Sequence, residues 1–255
     1  MRIWLWLPFL IAACAKPAGG PLKHTFDNSR IAAVPLEAKQ PVTDAQQRHD
    51  LARLDHKNAS TEYQDAEIEE DLAEHQAASA VVVSQVVASR RADAKHVPET
   101  AALGRKTADA KVAFMHARRT WLGELSSWLL HEVYATQAKL ELERARIAQT
   151  NNLAAAGFDL IAFENQVGGR EKAAQAVKEA AEVERKNVEA KLAMWAESEK
   201  ELLRLIGTEG PIESARYTAV WKSAVEQLAP PPGTGPAPAA PPAATPPAPP
   251  APPAK

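Results

Sequence analysis

From about Thr43 to Gly207 the apolar residues recur at seven-residue steps, not in alternation. That spacing returns each one to the same stripe of a helix every two turns. It predicts three long helices, over about 44–95, 100–150 and 160–206.

The first helix follows Pro41 and starts at Thr43 or Asp44, with Asp44 and Gln47 as a capping box. Its apolar positions are sparse: Leu51, Leu54, Tyr63, Ile68 and Leu72. Val81, Val82, Val83, Val86 and Val87 favour a strand by propensity, but helical sequence on both sides predicts helix. His96-Val97-Pro98 ends it, because the residue before proline is pushed out of the helical region. In the second helix Phe114, Trp121 and Trp128 are seven apart, as are Val133, Leu140 and Ile147. Leu122, Leu125 and Leu129 fill beside them. A face this wide calls for a bundle of three or more helices.

Residues 150–158 read as a break: Asn151 and Asn152 are poor in mid-helix, and Gly157 suits a turn. Asp159 then caps the third helix, with Phe158 and Phe163 as a hydrophobic staple. Against the break, Leu153-Ala154-Ala155-Ala156 is a good helix former and leaves one continuous helix as the lesser alternative. In the third helix Ala174, Ala181, Val188, Trp195 and Leu202 keep the seven-residue step, with Leu192 and Ile206 on the same side. Gly168-Gly169 interrupt it, for a close crossing or a kink, and Gly207, Gly210 and Pro211 end it. Residues 212–228 form a short amphipathic helix, with Tyr217, Val220, Trp221, Val225 and Leu228 on one side. It folds back on the bundle end or binds a partner.

The fold class expected is all-α: an elongated antiparallel bundle of about three long helices. A disordered tether over residues 14–42 precedes it, and Ile31-Ala32-Ala33-Val34 is the part of that tether suited to packing on the body. A disordered tail over residues 229–255, with 13 Pro among Ala, follows. A net charge of -2 on 255 residues gives no nucleic-acid footprint. Ala, Glu, Lys, Leu and Arg dominate the middle, as in long helices and coiled coils.

The sole cysteine, Cys14, closes an apolar N-terminal run that follows Arg2. The run is too short to span a bilayer, which takes about 20 residues, and has signal-peptide form over residues 1–13. Ile11-Ala12-Ala13-Cys14 resembles the lipobox of bacterial lipoproteins. The resemblance implies cleavage before Cys14, acyl chains such as palmitate on it, and, with Ala15 following, sorting to the outer membrane, on its periplasmic face. Ala13-Cys14-Ala15 also fits ordinary signal peptidase, which would release a periplasmic protein.

No catalytic constellation is found. His49 and His56, with Asp55 between them, stand about 10 Å apart on one helix, too far to share a metal ion. Asp71 and His75, beside Glu67, Glu70 and Glu74, read as a solvated face. His131-Glu132 lacks a second histidine, and Ser126 and Ser127 lack a nucleophile elbow. No metal, cofactor or enzyme activity is expected. Trp121, Leu125, Trp128 and Leu129 are the candidate partner-binding residues, although tryptophans at heptad spacing are more often core.

The function expected is a lipid-anchored cell-envelope scaffold or adaptor, working by helix-mediated protein–protein interaction. Its acyl chains on Cys14 would meet the membrane, its helix faces a protein partner or another copy in a homo-oligomer, and its Pro/Ala tail the cell wall. Two other readings stay open. Asn152 to Val167 is similar to helices of TolC-type outer-membrane efflux proteins, implying an accessory role in transport, although none of that fold's barrel strands is present. The wide face from Trp121 to Leu130 would instead suit a chaperone or carrier of an apolar client.

Overall fold

The computed structural model describes residues 20–90, 97–154, 158–206 and 212–228. It is all-α: among these residues there are four helices, α1 (Gln40–Arg90), α2 (Val97–Thr150), α3 (Leu160–Ile206) and α4 (Glu213–Leu228), and no strand. The chain divides into two compact units, Met1–Gly210 and Pro211–Lys255.

Two boundaries move from the expected places. α1 starts at Gln40, so Pro41 lies inside its first turn and Asp44 is not its cap. Asp44 instead accepts from Gln40 Nε2 at 2.8 Å. α2 likewise starts at Val97, with Pro98 in its first turn. Proline is tolerated there because first-turn N–H groups have no partner within the helix. Backbone helix runs through the valine-rich end of α1.

The break between α2 and α3 falls where expected, by a different residue. Asn152 is left-handed at φ 56. Leu153 N donates to Ala148 O at 2.8 Å and Asn152 N to Gln149 O at 3.1 Å, a Schellman closure. Gly157 lies outside the described residues. Asp159 caps α3 by accepting from Ile161 N at 2.9 Å. The Phe158 and Phe163 rings stack 5.6 Å apart, closing the staple.

In the first unit, α2 packs along both α1 and α3. His49 meets Thr136, Glu70 meets His116 and Lys111 meets Gln76, so α1 and α2 run antiparallel. Arg146 meets Glu164, Phe114 meets Trp195 and Lys106 meets Glu201, so α2 and α3 do too. Among the described residues α1 and α3 share no comparable seam.

The α2–α3 seam follows the expected step: Ala174, Ala181, Val188 and Trp195 are buried, with Phe163, Val167 and Leu192. Leu202, the last of that step, is only half-buried, and Ile206 is 47% exposed. The α1–α2 seam does not follow the leucines. Leu51, Leu54, Ile68 and Leu72 are all more than half exposed. Ala45, Ala59, Ala66 and Ala73 are buried instead, and with the half-buried Ala52 they make a seven-residue run of small side chains. Small side chains let two helix axes approach closely, so the seam is set by short contacts rather than large knobs. α3 runs through Gly168 and Gly169, and they admit no close neighbour, since an added Cβ at either meets nothing within 4 Å.

Residues 20–39, expected as part of a spacer, are folded onto the body. A 3-10 turn at Asn28–Ile31 and another at Glu37–Lys39 lead into α1. Phe26, Ile31 and Val34 are buried with Ala138, Leu142 and Ala145 of α2 and with Phe163 and Val167 of α3.

In the second unit α4 buries Trp221 and Ser214, while Val220, expected on the same apolar side, is 53% exposed.

Candidate functional site

Cys14, the expected lipidation site, lies outside the described residues, as does the tail over 229–255. The candidate partner-binding residues are in the body of the protein. Trp121, Leu125 and Leu129 are buried, and Trp128 is half-buried under Lys178, whose Nζ is 5.0 Å from its ring. α2 is packed on two sides, by α1 and by α3, which is consistent with the burial of these side chains. A contact face has to be sought elsewhere.

Large apolar side chains reach solvent on the two flanking helices. On α1, Leu54, Ile68, Leu72 and Val82 are between 52% and 67% exposed. The 3.6-residue period sets these four on the side of α1 turned away from its alanine seam. On α3, Ile161, Val183 and Met194 are exposed.

The α1–α2 seam carries a polar band. Glu70, only 4% exposed, accepts from His116 Nδ1 at 2.7 Å and from Arg119 Nη1 at 3.2 Å. Arg119 also reaches Glu67 at 2.6 Å and stands 5.7 Å from the Tyr63 ring, while Arg118 pairs with Glu69. A buried carboxylate needs such partners, and these tie α1 to α2 beside the alanine seam.

Each seam of α2 also holds a histidine. His49 Nδ1 is 3.2 Å from Thr136 Oγ1, and the Thr136 hydroxyl lies within reach of Glu132 O at 2.8 Å. Burial lowers the His49 pKa below its ordinary 6.5; Asp50 opposes this, and Arg53 and Arg144 add to it. His131, in the α2–α3 seam, packs edge-on to Tyr134 at 6.4 Å. Its pKa is lowered by burial first and by the Arg170 guanidinium second. Arg170 itself stands 5.5 Å from the Tyr134 ring.

Two shallow grooves open on the helix pairs. One, about 410 Å³, is lined by Asp50, Arg53, Leu54, His56, Lys57 and Val133. The other, about 660 Å³, is lined by residues including Glu99, Leu103, Lys106, Glu201 and Arg204. Both are charged surface troughs. Among the described residues no three His, Cys, Asp or Glu side chains are grouped to hold a metal ion. Among them, too, no helix is long and apolar enough to cross a membrane.

The N-terminal strap was the least legible feature. Gln166 reads its backbone from both directions, accepting from Lys23 N and His24 N at 2.9 and 3.0 Å and donating to His24 O at 2.9 Å. Glu141, itself buried, accepts from Phe26 N at 2.6 Å and from Arg144 Nη1 at 2.7 Å. Arg170 Nη2 donates to Gly20 O at 2.7 Å. Ile31 and Val34 were the one sequence sign of this docking.

Comparison with protein-family models, curated proteins and solved structures finds no match for this chain.

Proposed function

We propose that the protein is a lipid-anchored scaffold or adaptor of the bacterial cell envelope, acting through helix-on-helix contact with another protein. The anchor is Cys14, held by acyl chains at the membrane. The working body is an elongated antiparallel bundle of the three long helices.

The observation that carries the contact reading is the exposed row Leu54, Ile68, Leu72 and Val82 on α1. An amphipathic helix with one apolar row inward and a second outward is suited to a further helix laid along it. The anchor reading is supported by Ile11-Ala12-Ala13-Cys14, with the chain's sole cysteine at the position that takes the lipid.

Radioactive palmitate given to cells making the wild-type chain or Cys14→Ala tests the anchor; label on the variant, or none on the wild type, defeats it. A photo-crosslinker at position 68 or 72 tests the contact. A discrete crosslinked protein at these positions, and none from exposed polar Glu74 on another side of α1, supports the row as the interface. Equal capture from all three removes it.

A further inference from the structure

The docked strap changes how far the anchor lets the body travel. A chain free from Cys14 to Gln40 spans up to about 90 Å at roughly 3.4 Å per residue. With Gly20 held by Arg170, six residues remain, about 20 Å at the same rise. Arg170 lies ten residues into α3, about 15 Å from the α2–α3 turn at 1.5 Å per residue.

We infer that residues 20–34 are a clasp that sets a short leash, so that the α2–α3 turn is the membrane-proximal end of the body. This rests on lipidation at Cys14. The occupant facing that end is the lipid bilayer carrying the acyl chains.

The clasp is built as a specific dock. Three apolar side chains, Phe26, Ile31 and Val34, enter one cluster formed by α2 and α3. Three polar side chains, Glu141, Gln166 and Arg170, bind the strap's backbone rather than its side chains. Glu141 holds the Phe26 N–H in a buried place, where losing the acceptor strands a donor. The body does not need this strap to pair its helices, since both α2 seams run far beyond it. The strap's position therefore acts on the anchor, not on the helix pairing.

The test uses the full-length lipidated chain in vesicles of phosphatidylethanolamine and phosphatidylglycerol that carry an energy-transfer acceptor on a lipid headgroup. A fluorescent non-natural amino acid replaces either Ile161 or Met194, both exposed. Transfer from position 161 should be several-fold above transfer from position 194. Inserting twenty Gly/Ser residues between Gly19 and Gly20 lengthens the leash and leaves the clasp docked; it should remove most of that difference. Phe26→Ala with Gln166→Ala opens the clasp and should do the same. Equal transfer from both positions in the parent chain overturns the inference, as does a difference untouched by the insertion. A chain that takes no palmitate fails at the earlier step, the anchor, which the labelling experiment reads separately.

Discussion

Tyr63 of α1 lies in the notch left by Gly123 of α2, where an added Cβ would come within 3.2 Å of the Tyr63 ring. The same ring is engaged by Arg119, at 5.7 Å from its centroid. Gly123→Val fills the notch with a branched side chain and should destabilise the protein by about 1–3 kcal/mol. Gly168→Ala, in open space, should stabilise it by up to about 1 kcal/mol, since alanine restricts the unfolded chain and favours helix. Urea unfolding of the two variants checks the opposite signs.

The alanine seam makes an equally direct contrast within one helix. Ala66 is 1% exposed, and Leu72, further along the same helix, is 56% exposed. Ala66→Leu should cost about 1–3 kcal/mol by overpacking. Leu72→Ala should stay within roughly 0.5 kcal/mol, as surface substitutions usually do. Thermal melts that reverse this order would show that α1 sits on α2 by its leucines.

Glu70 is the inward member of the polar band, and its partners are more exposed than it is: 70% for His116 and 32% for Arg119. Glu70→Ala removes a buried acceptor while leaving both partners access to water, so its cost should be about 1–3 kcal/mol. The outward pairs of Arg185 with Glu182 and Glu189 lie along one helix. Arg185→Ala should cost no more than about 0.5 kcal/mol. Added salt should weaken the second effect more than the first.

His49 and His131 give the fold a pH dependence whose sign is set by burial. Both pKa values are lowered from 6.5 in the folded chain. The unfolded chain therefore takes up protons first as pH falls through 6.5, and stability drops from there down through the folded values. The midpoint of thermal unfolding should be lower at about pH 5.5 than at about pH 7.5. His49→Gln with His131→Gln should flatten that interval; an unchanged slope would place the dependence on other groups.

The chain's own order of residues determined where helices run and stop. Asn152, Asp159, Phe158 and Phe163 act on backbone within a turn of themselves, so the α2–α3 break could be read directly from them. The seven-residue row on α3 was equally legible, because large side chains repeating on one face have a single way to be buried. Prolines 41 and 98 misled by a few residues, since a proline reads the same just before a helix and in its first turn.

Tertiary structure decided which face of each helix is inside. On α1 the leucines point outward and the alanines inward, because α2 offers a close, shallow partner with a glycine notch for Tyr63. On α2 the spacing of Trp121, Leu125, Trp128 and Leu129 suits core and partner face alike, and three of the four are buried in the folded chain. The strap joins Gly20 to Arg170 and Phe26 to Glu141 across more than a hundred residues, and no local pattern encodes such pairs. Helix propensity and capping are local free energies; burial depends on the shape of whatever arrives opposite, and that exists only once the helices have packed.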